Sequence, residues 1–420
     1  MLYAHGTSTV KSYNLAAVAD PNNDAYSESG LIAAMFAAQG YIVVAPNYAG
    51  YDTSPLPYHP YLNADQQSKD MIDALKAARS ALGHVMASST TDNGKLFLAG
   101  YSQGGHVAMA THKAMQALYN GGLGDLTMKV TAAAPMSGPY AMAAFGDAIF
   151  FGNVNLGSIE FTPLLTSSYQ KAYGNIYSST TDIFTATYAT GIDTLMPSLP
   201  FLTLVSNGKL PLTALFNSTA PVTGNGPLDA LFATITPPTT PAAMAPLFAL
   251  GFDPTHYLVS NAYRAAYVAD AAGHPDGAVP TVINGMPAAA PANTLRQAFK
   301  TNDLRGFSPA APVLFCGGNS DPTVYYSVNT GTVATLLAAS PYVSTIDVDA
   351  AGTTHYGSAL SLPLAGLQSA LQTGFATAQT AVFTAAGGGA AGQNAVVQAY
   401  HGTLVPPFCT KAAQQFFSNF

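Results

Sequence analysis

A single serine stands between glycines in the pentapeptide GYSQG, residues 100–104. The apolar run KLFLAG (95–100) before it predicts a buried strand, and QGGHVAMATHKAM (103–115) after it has helical spacing. A serine on such a sharp strand-to-helix turn presents its hydroxyl at the carboxyl end of the strand, and the small glycines leave room for the turn. A glycine-rich turn with a capping serine is the alternative, but the flanking strand and helix favour Ser102 as a nucleophile.

A serine nucleophile needs a base, and in this arrangement an acid and then a histidine follow it along the chain. The predicted strand PVLFCGG (312–318) leads into a loop that contains Asp321. The predicted last strand, STIDVDA (344–350), leads into a loop that contains His355. We therefore predict Asp321 as the acid and His355 as the base. Asp347 and Asp349 are rival acids, but their place within a strand favours a salt bridge or a turn role.

The remaining histidines carry weaker signals. His106 and His112 lie six residues apart on the predicted helix, which favours packing and hydrogen bonding. His59 and His256 are candidates for lining a pocket, and His401 lies in no motif. The histidines lack zinc spacing such as H-E-x-x-H, so the sequence favours no metal site and no cofactor.

Acyl transfer at a serine also requires N–H groups that stabilise the oxyanion of the tetrahedral intermediate. The main-chain N–H of Gln103, directly after the nucleophile, is the first predicted donor. The second belongs to the turn after the earlier strand, AHGTST (4–9), where we predict Thr7. Gly6 is its nearest competitor.

Alternating strand and helix patterns must position these residues. The predicted buried strands are MLYAH (1–5), YIVVAP (41–46), KLFLAG (95–100), KVTAAA (129–134), APVLFCGG (311–318) and YVSTIDVDA (342–350). The clearest predicted helix runs from Asn63 to Leu82, with Asn63 capping it, Gln66 three residues on and Gly83 ending it. This alternation predicts a mostly parallel, doubly wound α/β sheet.

The regular pattern is interrupted once. Residues 139–307 contain proline, glycine, threonine and phenylalanine among short apolar pieces, and we interpret them as an inserted, mainly helical cap. Residues 1–138 and 308–420 then form the two parts of one core. The glycine-rich stretch 385–393 is predicted to be a loop between helices.

Composition limits the possible partners. Of the 420 residues, 49% are hydrophobic and 8% are charged, and the net charge of −7 lacks the basic footprint of nucleic-acid binding. The apolar runs are too interrupted for a membrane span, and the low charged fraction is more typical of an exported protein. The oligomeric state is left open.

Two further expectations concern the N-terminus and the cysteines. The sequence begins within a predicted strand and has no signal peptide, so we expect a missing N-terminal segment with its edge strands. Cys316 and Cys409 are candidates for one disulfide, with two separate buried thiols as the alternative.

Several motifs together resemble the secretory lipase family of α/β-hydrolases, in a bacterial esterase-like branch. They are HGT (5–7), GYIVVAPNYAGYD (40–52), HPYL (59–62), DMIDALKAAR (70–79), GYSQGGH (100–106) and GNSDPTV (318–324). The resemblance implies an exported carboxylic-ester hydrolase with a helical lid over an apolar acyl pocket. It also implies a catalytic triad of Ser102, Asp321 and His355.

The sequence thus predicts a serine esterase or lipase acting on small or lipid esters with apolar acyl or aryl groups. A peptidase or amidase and an acyltransferase with the same triad remain alternatives. A non-catalytic binding protein on the same fold is a further one.

Overall fold

A parallel sheet forms the centre of the molecule. The computed structural model describes residues 1–85, 90–121, 124–277, 279–349 and 364–420. Its strands are β1 (Leu2–Ala4), β2 (Phe97–Tyr101), β3 (Ala132–Met136), β4 (Phe216–Asn217), β5 (Phe252–Asp253), β6 (Val282–Ile283), β7 (Met286–Pro287), β8 (Val313–Gly317) and β9 (Val343–Asp347). Five of them pair in the order β1-β2-β3-β8-β9, with every pair parallel. The predicted mostly parallel sheet is therefore confirmed.

The predicted strand at 41–46 lies beside β1 without forming a regular strand. The Tyr3 N–H donates to the Val44 carbonyl at 2.9 Å, and the Val44 N–H donates to the Met1 carbonyl at 2.9 Å. These two bonds form an isolated parallel bridge between Leu2 and Val44. The side of β1 away from β2 is therefore covered by this segment.

Helices make up much of the rest of the described chain. They are α1 (Tyr26–Met35), α2 (Ala64–Val85), α3 (Gln103–Asn120), α4 (Met142–Phe150), α5 (Ser158–Tyr173), α6 (Ala186–Ala189), α7 (Phe201–Ser206), α8 (Gly226–Thr234), α9 (Ala245–Ala249), α10 (Asn261–Gly273), α11 (Thr294–Thr301), α12 (Thr330–Leu336), α13 (Leu364–Ala385), α14 (Gly389–Ala399) and α15 (Val405–Phe417). α2 packs against α3, whereas α1 and α13 pack against α15. Within the described ranges, none of these helices is long and apolar enough to cross a bilayer.

The helix predicted from Asn63 forms as α2. The Asn63 side chain accepts a hydrogen bond from the Gln66 N–H at 3.0 Å, which supplies the predicted cap. The helix continues past Leu82 and Gly83 to Val85, so the predicted end is three residues short. Apart from the neighbouring residues and the helix's own backbone, no described atom lies within 4 Å of the position that a Gly83 Cβ would take, so the described packing does not require a break there.

Buried apolar side chains form two main clusters. One, built from residues 2–140 and 304–417, surrounds the parallel sheet. The other is built from residues 61–62 and 142–299 and contains the short helices that follow β3. In this second region Arg296 is buried and pairs with Asp147 and Asp270 at 2.8 Å each. Arg305 is also buried, and it pairs with Asp303 at 2.8 Å and with Asp276.

Candidate active site

Ser102 occupies a strained turn between β2 and α3. Its φ of 58° and ψ of −122° are rare for a residue with a side chain. The surrounding backbone holds the turn, because the Ser102 N–H donates to the Met136 carbonyl at 3.0 Å and the Gly105 N–H donates to the Ser102 carbonyl at 2.9 Å. The hydroxyl is thereby presented at the carboxyl edge of the sheet.

The glycines on either side of Ser102 are required by close backbone approach. A Cβ on Gly100 would lie 2.1 Å from the Gly104 carbonyl oxygen, and a Cβ on Gly104 would lie 1.9 Å from the Ala4 carbonyl oxygen. A Cβ on Gly105 would lie 2.5 Å from the Met136 carbonyl oxygen. Strand, turn and helix thus meet too closely for any side chain at these positions.

His401 joins the serine to the acid. Its Nε2 lies 2.8 Å from Ser102 Oγ, and its Nδ1 lies 2.6 Å from Asp321 Oδ2. A carboxylate can only accept hydrogen bonds, so Nδ1 carries the ring proton and Nε2 accepts from the serine hydroxyl. The arrangement is the one in which a histidine can take the serine proton.

Asp321 lies on the loop after β8, where the sequence places it. Its Oδ1 accepts hydrogen bonds from the Thr323 N–H at 2.8 Å and the Val324 N–H at 3.0 Å. These bonds leave Oδ2 directed at the imidazole. The carboxylate is buried, which strengthens its interaction with the histidine relative to one in water.

The predicted base, His355, lies outside the described residues. Within the described residues, the hydrogen bonds expected of the base are made by His401, which lies in no sequence motif. His401 lies in a π-helical turn, Tyr400–Leu404, between α14 and α15, rather than in a loop after a strand. Such turns are frequent at functional sites. Chain order alone does not separate the two histidines, because both follow Asp321.

Neighbouring groups fix the turn that carries His401. The Tyr101 hydroxyl donates to the His401 carbonyl at 2.6 Å. The Tyr400 hydroxyl donates to Asp349 Oδ2 at 2.8 Å and accepts from the Ser320 N–H at 3.1 Å. Tyr400 therefore connects the histidine turn to the loop that carries the acid.

A disulfide joins the same two regions. Cys316 on β8 is bonded to Cys409 on α15, and both residues are fully buried. Cys316 lies five residues before Asp321, and Cys409 lies eight residues after His401. A disulfide between these two cysteines brings the segment of His401 close to the loop of Asp321. The two cysteines are therefore a sequence signal that favours His401 over His355.

The predicted oxyanion donors are close to Ser102, since Gln103 directly follows it and Thr7 lines the same cavity. The N–H groups of Gln103 and Thr7 donate to no other group within the described part of the chain. The Gly6 N–H is occupied, because it donates to Glu28 Oε1 at 3.0 Å. Glu28 also accepts from the Tyr3 hydroxyl at 2.9 Å and the Tyr13 hydroxyl at 2.5 Å, so it fixes the turn before Thr7.

His59 supports Gln103 from beneath the site. The Gln103 amide lies 2.6 Å from His59 Nε2, while His59 Nδ1 lies 2.8 Å from the Ala49 carbonyl. Burial lowers the pKa of His59 to about 3, so the ring is neutral and accepts from the amide. His59 is thus a positioning residue.

The side chains of His106, His112 and His256 take no part in these hydrogen bonds within the described residues. Burial lowers the pKa of both His106 and His112 to about 4. His106 Nε2 lies 2.9 Å from the Asn302 carbonyl, and the His112 ring packs edge-on against Phe307. His256 is exposed, at the surface of the region that follows β3. Their packing agrees with the structural roles expected for His106 and His112.

Two cavities meet at Ser102. One is narrow, about 60 Å³, and mostly apolar. Its walls include Met142, Phe145 and Ile149 from α4, Phe161 and Leu165 from α5, and Phe299 from α11. The other cavity is larger, about 750 Å³, and more polar; its walls include Thr7, Glu28, Glu160 and His401. Across the described ranges, no three histidine, cysteine or acidic side chains are grouped as metal ligands.

Comparison with known proteins identifies relatives of the fold. The sequence profile of the Prolyl oligopeptidase family matches residues 27–126, a span that includes Ser102 but neither Asp321 nor His401. No curated protein matches the chain.

Two solved structures resemble most of the chain. LipA, a rice cell wall degrading esterase from Xanthomonas oryzae, is similar with a TM-score of 0.60 and 24% identity, over 84% of this chain and 74% of LipA. A protein from Legionella pneumophila, provisionally named a hydrolase, is similar with a TM-score of 0.55 and 21% identity, over 83% of this chain and 72% of its own. At these identities the likeness establishes the fold.

Proposed function

We propose that this chain, which has the α/β-hydrolase fold, is a serine carboxylic-ester hydrolase. The observation that carries the proposal is the continuous set of hydrogen bonds from Ser102 Oγ through His401 to Asp321. It supports the roles of Ser102 as nucleophile, His401 as base and Asp321 as the orienting acid, because acyl transfer requires this geometry. The strained turn at Ser102 and the two free N–H groups support the same function.

The proposed reaction begins with attack of Ser102 Oγ on the ester carbonyl carbon. His401 Nε2 takes the hydroxyl proton, and Asp321 stabilises the resulting imidazolium. The carbonyl oxygen becomes an oxyanion, which accepts hydrogen bonds from the N–H groups of Gln103 and Thr7. When the intermediate collapses, His401 returns the proton to the departing alcohol and the acyl group stays on the serine.

Water completes the cycle. His401 takes a proton from the water as it attacks the acyl carbonyl, and Ser102 leaves with that proton as the acid is released. The chemistry uses only groups of the protein and water.

The narrow apolar cavity supports an apolar acyl group. Aromatic and aliphatic side chains from α4, α5 and α11 surround it, and it opens at Ser102 and Gln103. No lysine or arginine is among its lining residues within the described chain, so it offers no clamp for a carboxylate. Its small volume favours short acyl chains over long ones.

A peptidase or amidase is the second candidate, because of the partial match to the Prolyl oligopeptidase family. The matched span contains the nucleophile turn, which esterases and peptidases share. We favour an ester because aromatic and aliphatic side chains line the narrow cavity at Ser102, as an apolar acyl group requires.

We also propose that the protein works outside the cytoplasm. The disulfide between Cys316 and Cys409 supports an oxidising compartment. The low charged fraction of the sequence points the same way.

Hydrolysis of p-nitrophenyl esters from acetate to palmitate tests the proposal, with matched p-nitroanilides as amide substrates. We expect wild type to hydrolyse the short esters fastest and the anilides far more slowly, and Ser102→Ala to show background rates. Faster turnover of the anilides would favour the peptidase. A folded wild type without ester turnover or labelling by a fluorophosphonate would refute a serine hydrolase.

A further inference from the structure

The larger cavity at Ser102 has an unusual distribution of charge. Three acidic residues line it, namely Asp24, Glu28 and Glu160, and no lysine or arginine does so within the described chain. The acyl group is assigned to the narrow apolar cavity, so this larger space remains for the alcohol part of the ester. It therefore has a negative wall where the leaving group would lie.

Glu160 is the acid without a counter-charge. It lies in the first turn of α5, and neither a hydrogen bond nor an ion pair joins its carboxylate to another described residue. Burial raises the pKa of Glu160 to about 7, with no positive group nearby to oppose the shift. This partly buried carboxylate gains a favourable interaction when a cation enters the cavity.

Glu28 adds a second negative charge close to the serine. Its Oε2 lies 3.7 Å from the position that a Gly6 Cβ would take, and Ser102 Cβ lies 3.9 Å from the same point. Its oxygens accept hydrogen bonds from the Tyr3 and Tyr13 hydroxyls and the Gly6 N–H, which fix it in place. Both carboxylates therefore act on the space beside the nucleophile.

Aromatic rings form much of the remaining wall. They belong to Tyr3, Tyr13, Tyr101 and Phe161. Rings of this kind attract ammonium groups through their faces, and they tolerate the methyl groups of a quaternary ammonium. The wall thus combines negative charge with apolar surface.

We infer that this cavity selects esters whose alcohol part carries a positive charge, such as an amino or quaternary ammonium group, with Glu160 as the specificity-determining residue. This inference rests on the proposed ester hydrolysis and adds the class of alcohol. A neutral alcohol of the same shape leaves Glu160 without a partner and is the poorer substrate.

A pair of isosteric substrates isolates the charge. Choline acetate and 3,3-dimethylbutyl acetate differ in a quaternary nitrogen against a quaternary carbon, and their kcat/KM ratio cancels effects on the shared acyl chemistry. We expect wild type to have a kcat/KM about tenfold or more higher for the choline ester. This preference is modest compared with the attraction between two opposite charges a few ångströms apart at a protein surface. We expect the ratio in Glu160→Gln to fall several-fold, towards parity.

Asp73→Asn is the matched control, because it removes one negative charge from an exposed position on α2. It should leave the ratio unchanged. Salt provides a test on wild type that does not depend on a variant's folding, because raising NaCl from about 0.05 M to about 1 M should lower the ratio by screening.

Each remaining outcome is decisive. A wild-type ratio near one, or a ratio that neither Glu160→Gln nor salt reduces, would overturn the inference while p-nitrophenyl ester turnover upheld the proposed function. If folded wild type hydrolyses no ester at all, the proposed function is overturned, and the inference with it.

Discussion

Removal of the disulfide should both destabilise the protein and impair its site. The Cys316–Cys409 bond closes a loop across 93 residues of sequence separation. In the chain-entropy description, a loop of that length restricts the unfolded state by about 4.6 kcal/mol at 25 °C. Measured losses are usually smaller, so we expect the double variant Cys316→Ala/Cys409→Ala to lose about 2–5 kcal/mol of unfolding free energy.

The same change should affect catalysis, because the bond joins the strand before Asp321 to the helix after His401. We expect kcat on a short p-nitrophenyl ester to fall several-fold, since the imidazole is then less well held against the carboxylate and Ser102. Reduced wild type is the control without a substitution, and it should match the double variant.

Urea unfolding with circular dichroism measures the first effect, and steady-state kinetics measures the second. A double variant within about 0.5 kcal/mol of oxidised wild type, with unchanged kcat, would refute this account of the disulfide. If stability falls and kcat is unchanged, the disulfide stabilises the fold but does not position His401.

Three further predictions concern the site and its support, and they use four substitutions. Glu28→Gln should lower kcat for short esters by about tenfold or more and leave KM little changed. The reason is that the turn at Gly6 loses a charged hydrogen-bond acceptor near the oxyanion. A change in KM alone would contradict this prediction. Gly104→Ala should lower the free energy of unfolding, measured with urea, by about 3 kcal/mol or more. Gly83→Ala, whose Cβ would enter open space, should raise it by up to about 1 kcal/mol. Equal effects of the two substitutions would refute the argument that the backbone approaches Gly104 closely. Burial raises the pKa of Asp347 to about 7, so the folded state binds the proton more tightly and stability falls as pH rises from about 4 to about 7. In Asp347→Asn, the decrease in unfolding free energy over this pH range should be smaller by up to about 4 kcal/mol. An unchanged pH profile of stability would contradict the raised pKa of Asp347.

The parts of the site that local sequence encodes were predictable. Ser102 and its glycines form one turn, and Asp321 follows a strand whose apolar residues identify it. Parallel strands bring their carboxyl ends to one edge, so strand positions alone place these two groups near each other.

The base was not predictable in this way. His401 reaches the site through a π-helical turn between two C-terminal helices, and its approach depends on contacts with Tyr101, Tyr400 and a disulfide from distant parts of the chain. A histidine in a loop after the last strand fits the usual pattern, which favoured His355. The roles of Glu28 and Glu160 likewise arise only when the cavity is assembled.

Activity of two histidine variants tests the central claim most directly. Turnover of a short p-nitrophenyl ester would be measured for wild type, His401→Ala and His355→Ala, each shown to be folded by circular dichroism. If Ser102, His401 and Asp321 act together, His401→Ala should lose about 10⁴-fold or more of kcat, while His355→Ala retains most of it. Loss of turnover in His355→Ala together with an active His401→Ala would contradict the account.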